Sequence, residues 1–137
     1  MGVTNDNTFS IASPLQFAIA RYLQKHPDAW TNLPAFFQAK RDLLAGLLEG
    51  SGFEPIRAAG TYFQLVDYGE LSADNDMDFA DRVIRKAKIA TIPLSPFYAS
   101  PPRMTLLRLC IAKNDATLEE AAERLCAFAA ACTRVIG

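Results

Sequence analysis

The chain has 137 residues, half of them hydrophobic, and a formal net charge of −1. This length and composition are typical of one globular domain with a buried core and argue against intrinsic disorder. Because no basic block stands out, no nucleic-acid partner is expected, and no apolar run reaches the roughly 20 residues that span a bilayer.

The cysteines and the N-terminus bear on the compartment. Cys110, Cys126 and Cys132 form an odd set without CxxC spacing. Small packing residues in a reducing compartment are therefore favoured over disulfides. The opening residues, MGVTNDNTFS, are polar and lack the charged and apolar regions of a secretory signal. We expect a cytoplasmic protein with no membrane partner.

The N-terminal part of the chain predicts two helices. Ser13 is a plausible N-cap with Pro14 at the first helical position, and Pro27 lies in the break that follows. The first helix has one apolar face: Leu15, Ala18, Ile19 and Tyr22. A longer amphipathic helix then ends at Gly50 or Gly52. Its expected buried stripe consists of Leu33, Phe36, Phe37, Leu43, Leu44, Leu47 and Leu48. Its expected solvated side consists of Gln38, Lys40, Arg41 and Asp42.

The middle of the chain has a different texture. Short apolar runs after Phe53 predict two strands around a bend at Gly60. The acidic run SADNDMD lacks the glycine and closing glutamate of an EF-hand loop, so it is interpreted as the capped start of a helix. The apolar face of that helix consists of Phe79, Val83, Ile84 and Ala87.

The C-terminal part predicts two more strands and a last helix. The run KIATIPL reads as a strand that the proline-rich loop PLSPFYASPP ends, and MTLLRLCIA reads as the next strand. Alternation places Leu107, Leu109 and Ile111 on one face of it and Leu106, Arg108, Cys110 and Ala112 on the other. Both faces are expected to be covered. A capping box, Thr117 with Glu120, is expected to start the last helix.

This order of elements predicts an α/β (α+β) domain. Helices and strands of these lengths form two layers, with a small mixed sheet of about three to four strands packed against helices.

Several kinds of chemistry are excluded by simple counts. The single histidine, His26, lies in the exposed-looking break KHPD, so Ser-His-Asp and Cys-His catalysis are not expected. Metal sites built from histidine and cysteine lack ligands. Neither GxGxxG nor GxxxxGK[ST] occurs, so the familiar phosphate-binding loops are absent from the sequence.

Arg108 is the most informative residue. An arginine inside an apolar strand is costly unless an anion meets it. Its planar fork can bind a carboxylate through two parallel hydrogen bonds, which would orient an acid substrate. An internal ion pair with one of the fifteen Asp and Glu residues is at least as good an explanation from the residues alone.

At LLRLCIAKNDATLEEAAERL the chain resembles the C-terminal end of the class I/II (fold-type I) pyridoxal-phosphate aminotransferases. Within that family it is most similar to the methionine and kynurenine (glutamine-transaminase-like) branch. The segments TFSIASPLQ, FFQAKRDLL, GTYFQLVDYG and IATIPLSPFY resemble the family in the same order, so the similarity covers essentially the whole chain.

The resemblance implies a set of substrate-binding residues. Arg108 matches the arginine that binds the substrate α-carboxylate. Gly60, Thr61 and Tyr62 match the strand entry near the substrate, and Ser95, Phe97 and Tyr98 match the mobile segment at the mouth of the active site. Ile11 and Ala12 match a stretch that reaches the partner subunit's active site in a homodimer. No metal site and no catalytic residue of this chain are implied.

The resemblance also implies that the cofactor half is missing. The family's Schiff-base lysine stands in an SxSK setting, which none of the five lysines of this chain shares: Lys25, Lys40, Lys86, Lys88 and Lys113. Residues 1–30 would be the connecting segment and helix from the large domain, and residues 31–137 the C-terminal small domain. The large domain, which holds pyridoxal 5'-phosphate, would be absent, and no cofactor is expected on this chain alone.

The expected function follows from this comparison. The chain would be the carboxylate-binding part of an enzyme that transfers an amino group between an amino acid and a 2-keto acid, and it would be inactive alone. A freestanding carboxylate-binding module and a structural module that docks on a separate large domain are the alternatives.

Overall fold

The computed structural model describes residues 12–136, with side chains up to Cys132. Ile11, one of the predicted site residues, lies outside this range. The helices and strands follow in chain order: α1 (Ser13–Lys25), α2 (Leu33–Leu48), β1 (Glu54–Pro55), β2 (Phe63–Asp67), α3 (Asp76–Ala87), β3 (Ile92–Pro93), β4 (Leu106–Cys110) and α4 (Asp115–Ile136). A short 3-10 helix spans Ser95–Phe97. The chain divides into two compact units, one ending at Pro34 and one starting at Ala35.

The four strands form one sheet in the order β1-β2-β4-β3. The predicted number of strands is confirmed. Every neighbouring pair is antiparallel, so the sheet is not the mixed sheet that was expected. Apolar alternation identifies strands but carries no information on their relative direction, which the connections decide. Arg108 lies on an inner strand, opposite Leu65 of β2 and Ile92 of β3.

The core of the C-terminal unit lies between one face of the sheet and the helices. Its buried side chains come from α2, α3, α4, the strands and the loops beside them. The rings of Tyr68 and Phe79 stack at 3.8 Å between centroids, and both are fully buried. Burial, reinforced by Asp76, raises the pKa of Tyr68 to about 12. Its hydroxyl therefore stays protonated and donates to the carbonyl of Asp74 at 3.0 Å.

The two faces of β4 differ in their environment. Leu107 and Leu109 are buried, as alternation predicted, and Ile111 after the strand is buried too. The opposite face is not covered as expected, because Arg108 is half-buried and Cys110 is exposed. All three cysteines are free thiols, but an exposed Cys110 is not a core packing residue. The uncovered face gives Arg108 access to solvent.

Three helix starts test the capping predictions. Asn75 caps α3 by accepting a hydrogen bond from the Asp78 amide at 3.0 Å, which confirms the cap interpretation of the acidic run. The N-cap of α1 is Ala12, so Ser13 is already helical. Asn114, rather than Thr117, caps α4 by accepting from the Thr117 amide at 2.8 Å. Asparagine is the stronger N-cap of the two residue types, and it stands three residues earlier.

Helix α2 departs from its predicted faces. Lys40 and Arg41 were expected on the solvated side but are only 8 % and 7 % exposed, respectively. Leu44 and Leu48 are buried as predicted, whereas Leu33, Phe36 and Leu47 are exposed. Helical periodicity assigns every charged residue to the solvated face, because a local pattern contains no information about partners that are distant in the sequence. The Lys40 ammonium has such a partner, the Asp115 carboxylate at 2.6 Å.

Helix α1 has an apolar surface without a core of its own. None of its residues is buried, and its large apolar side chains are exposed: Leu15, Phe17, Ile19, Tyr22 and Leu23. An amphipathic helix with a solvent-facing apolar stripe is typical of a segment that packs on another surface.

Neither a membrane span nor a metal centre is found in the part of the chain described here. No helix within residues 12–136 is long and apolar enough to cross a bilayer. Over the same range, no group of three or more histidine, cysteine, aspartate and glutamate side chains could hold a metal ion.

The aromatic stack gives a stability prediction. Phe79→Ala should lower the free energy of unfolding by about 3–5 kcal/mol, because it leaves a cavity beside Tyr68. Urea denaturation followed by circular dichroism measures the loss. Ile84→Ala on the same helix is the control, since Ile84 is 44 % exposed, and its effect should be much smaller. Equal losses in both variants would contradict this account of the core.

Candidate functional site

Arg108 projects from the middle of the sheet between two aromatic rings. Its guanidinium carbon lies 4.2 Å from the ring centroid of Phe63 and 5.4 Å from that of Phe97. Phe63 belongs to the neighbouring strand β2, whereas Phe97 belongs to the short 3-10 helix after β3. Rings at these distances attract a cation and shield it from water without neutralising its charge.

The guanidinium has no counterion among the residues that the structure describes. Over the described residues, four salt bridges form, and none includes Arg108. Its Nε is buried and has no hydrogen-bond partner. The internal ion pair that the sequence left open is therefore absent from this part of the chain. A guanidinium without an ion pair among the described residues can bind an external anion, and its planar fork matches the two oxygens of a carboxylate.

The segment 60–62 leads into β2 beside this arginine. Thr61 has a positive φ of 71°, a left-handed conformation that is rare for a β-branched residue. The Tyr62 ring packs on Phe63 at 4.3 Å between centroids and is 47 % exposed. Gly60 has open space where a side chain would stand. Tyr62 and Arg108 therefore share Phe63 as a common neighbour.

The segment 95–98 borders the same arginine from the other side. Phe97 reaches the guanidinium and is 66 % exposed, and Tyr98 after it is also exposed. Ser95 contacts Asp76, since its backbone amide donates to the Asp76 carboxylate at 2.6 Å. Of the three predicted residues in this segment, Phe97 has its ring against the guanidinium of Arg108.

Sequence reasoning missed Asp76. This carboxylate is 2 % exposed and accepts hydrogen bonds from the amides of Leu94, at 2.7 Å, and Ser95. Burial by itself would raise the pKa of Asp76, but hydrogen bonds from Ser95, Leu94 and Met77 outweigh it, and the pKa lies below its ordinary value. The carboxylate thus fixes the segment that carries Phe97. The acidic run SADNDMD contains Asp76, but its role as the capped start of a helix left no reason to expect a second contact.

The remaining predicted residue, Ala12, is the exposed N-cap residue of α1. It belongs to the N-terminal unit, and Arg108 belongs to the C-terminal one. Its suggested contribution to a partner subunit's site stays a prediction, as does that of Ile11.

Comparison with known proteins identifies the family of the chain. The family model for aminotransferase class I and II matches residues 3–125. The methionine aminotransferase of Escherichia coli K12 is 43 % identical over 118 residues, covering 86 % of this chain and 31 % of that enzyme. The kynurenine–oxoglutarate transaminase 3 of Rattus norvegicus is 31 % identical, covering 88 % of this chain and 31 % of the enzyme.

Two solved structures share the fold. A methionine aminotransferase from Escherichia coli superposes with a TM-score of 0.79 at 42 % identity, covering 88 % of this chain and 31 % of that one. The N-succinyldiaminopimelate aminotransferase from Mycobacterium tuberculosis superposes with a TM-score of 0.73 at 33 % identity, covering 88 % and 32 % respectively.

The chain therefore belongs to the aminotransferase class I and II family, whose members use pyridoxal 5'-phosphate and act on amino acids and 2-keto acids. Its α/β fold is that of the C-terminal part of these enzymes. It spans about a third of the length of the curated relatives that it matches, at 31 %.

The five lysines of the chain are either paired or exposed. Lys40 is buried and paired with Asp115, so its ammonium is already occupied. The other four lysines are exposed: Lys25, Lys86, Lys88 and Lys113. The guanidinium of Arg108 lies against two aromatic rings, those of Phe63 and Phe97.

Asp76 predicts a pH dependence of stability. A folded-state pKa below the ordinary 3.8 means that the ionised form stabilises the fold above that pH. The stabilisation should be lost as pH falls through the lower folded pKa. Urea unfolding between about pH 6 and pH 2 measures it, and Asp76→Asn should flatten the acid limb of the curve. Asp81→Asn, an exposed carboxylate on the same helix, is the control. An unchanged acid limb in Asp76→Asn would contradict the assignment.

Proposed function

We propose that this chain is the C-terminal, carboxylate-binding part of a pyridoxal-phosphate aminotransferase. The whole enzyme would transfer an amino group between an amino acid and a 2-keto acid in the cytoplasm. Residues 1–30 would connect to the large domain, and residues 31–137 would form the small domain. The cofactor-binding domain would lie outside these residues, and the assembled enzyme would be a homodimer.

The observation that carries this proposal is the unpaired guanidinium of Arg108. A half-buried cation without a carboxylate partner is costly unless a ligand supplies one. The rigid strand β4 fixes the base of the side chain, and the rings of Phe63 and Phe97 border its tip. A bidentate contact to the substrate α-carboxylate would satisfy the fork and orient the rest of the substrate.

The other site residues have supporting roles in this proposal. Gly60, Thr61 and Tyr62 would form the edge of the pocket next to Phe63. Ser95, Phe97 and Tyr98 would form its mouth, with Asp76 holding their segment in place. Ile11 and Ala12 would reach the partner subunit's site.

The chemistry of amino transfer would come from elsewhere in the enzyme. Pyridoxal phosphate, when bound, supplies an electron sink for the α-carbon of the substrate. The contribution of the described residues would be binding, orientation and partial exclusion of water around the carboxylate. On this proposal the chain alone does not transaminate.

A docking role is the second candidate, and the exposed apolar side chains favour it. Phe17 is 73 % exposed, and Trp30 is 65 % exposed. Aromatic groups with this exposure are typical of surfaces that a partner covers. A structural module seated on a separately encoded large domain would explain them without any ligand. An open reading frame for that domain immediately upstream would favour one continuous or split enzyme over a freestanding module.

Arg108 provides the direct test. Arg108→Lys keeps the charge but loses the fork, and Arg108→Met loses both. We expect the affinity for a 2-keto acid to fall about tenfold or more, because a charge-assisted hydrogen bond contributes about 1.5–3 kcal/mol. Calorimetric titration of pyruvate into the chain measures it. Arg85→Lys is the matched control, since Arg85 is an exposed cation that pairs with Asp81 on α3. An unchanged affinity in both Arg108 variants would reject the carboxylate role.

Adding pyridoxal phosphate tests whether the cofactor-binding lysine lies outside this chain. Pyridoxal phosphate mixed with the chain should give no Schiff-base absorption that shifts when an amino acid is added. A shift of that kind would mean that one of the lysines of this chain forms the internal adduct, and the proposal of a separate cofactor half would be rejected.

A further inference from the structure

We infer that Arg41 is a positioning residue of the carboxylate site. It would hold the backbone of Thr61 in place. Through Thr61 it would also fix the ring of Phe63, which lies against Arg108. This inference rests on the proposed function, because it concerns the same site. Arg41 belongs to α2 and lies outside the set of residues that the family resemblance implied.

Arg41 is a buried cation with no carboxylate partner in the part of the chain that the structure describes. It is 7 % exposed, and it takes part in none of the salt bridges formed by the described residues. Its Nη1 donates to the carbonyl of Thr61 at 2.6 Å, and its Nη2 donates to the side chain of Gln38 at 3.1 Å. Its Nε has no partner. The strongest contact of this charge is therefore with one peptide carbonyl.

That carbonyl belongs to a strained residue. Thr61 has a φ of 71°, and a β-branched side chain in this region crowds its own backbone. Such conformations persist where the surrounding structure imposes them, and they cluster at functional sites. A short, charge-assisted hydrogen bond to the carbonyl of Thr61 is a direct means of imposing it.

Phe63, which contacts Arg108, follows Thr61 by two residues. Tyr62 lies between them, and its carbonyl accepts a hydrogen bond from the Ile111 amide at 2.9 Å. Its ring packs on Phe63, which in turn lies 4.2 Å from the guanidinium carbon of Arg108. Release of the Thr61 carbonyl would change the path of the chain just before these rings. The aromatic wall of the carboxylate site would then lose its fixed position.

Lys40 provides a matched comparison. It is the preceding residue on α2, it is 8 % exposed, and it also carries a positive charge. Its ammonium pairs with Asp115 at the start of α4 instead of with the segment 60–62. Lys40→Met therefore removes a buried cation from the same helix without touching Thr61.

The experiment compares Arg41→Met, Lys40→Met and Arg41→Lys in the full 137-residue chain. Three quantities are measured: amide hydrogen exchange at residues 61–63, the NMR resonance of the Arg108 Nε–H, and the affinity for pyruvate. Arg41→Met should speed exchange, shift the Arg108 resonance and weaken binding about tenfold, the effect of one charge-assisted hydrogen bond. Lys40→Met should leave all three quantities close to those of the parent chain. Arg41→Lys should recover part of the loss, since an ammonium can still donate to the carbonyl.

A second variant separates positioning from general stability. Thr61→Gly removes the strain, because glycine adopts positive φ without a steric penalty. In the Arg41→Met background it should therefore restore part of the affinity and part of the Arg108 resonance shift. If Arg41→Met does not fold, Arg41→Lys with and without Thr61→Gly gives the same comparison.

Each outcome has one meaning. A folded Arg41→Met chain with unchanged exchange and an unchanged Arg108 resonance overturns the inference, as do equal changes in Lys40→Met. If the parent chain binds no pyruvate but the exchange and the resonance change as expected, the carboxylate function fails while the positioning role stands.

Discussion

The candidate site depends on the guanidinium of Arg108, which forms no salt bridge with the residues that the structure describes. Arg108 stands on an inner strand of a four-stranded antiparallel sheet, with its guanidinium between Phe63 and Phe97. The buried face of the same strand anchors it in the core through Leu107 and Leu109. Because successive side chains of β4 point to opposite faces, Leu107 and Leu109 anchor the strand in the core while Arg108 points to the uncovered face. An inner strand cannot shift without breaking hydrogen bonds on both sides, so the cation is held in one place.

The two segments that border Arg108 are each held by a buried charge of α2 or α3. Asp76 accepts hydrogen bonds from the amides of Leu94 and Ser95, and Arg41 donates to the carbonyl of Thr61. Both charged groups hydrogen-bond to backbone groups, and neither forms a salt bridge within the described residues. Such contacts fix backbone position without neutralising anything in the site. Arg41 and Asp76 thus support the two segments beside Arg108. Supporting contacts of this kind keep the geometry of a binding site precise.

Membership of the aminotransferase class I and II family gives this arrangement a context. The chain corresponds to about a third of its curated relatives, at 31 % of their length. Among its described residues, Arg108 lies between two aromatic rings and forms no salt bridge, and Lys40 is the one buried lysine. Helix α1 has no buried residue, and its exposed apolar side chains are suited to packing against another surface.

The sequence by itself determined the elements and the arginine. Periodicity predicted the helices, the strands and the face of β4 that carries Arg108, because apolar spacing is a local property. The tertiary structure decided which charges are buried, which cap starts α4 and which way the strands run. Lys40 meets Asp115 across 75 positions, Arg41 meets Thr61 across 20, and Asp76 meets Leu94 across 18. A buried charge depends on a partner far away in the chain, so local spacing classed Lys40 and Arg41 as solvated and Asp76 as a cap.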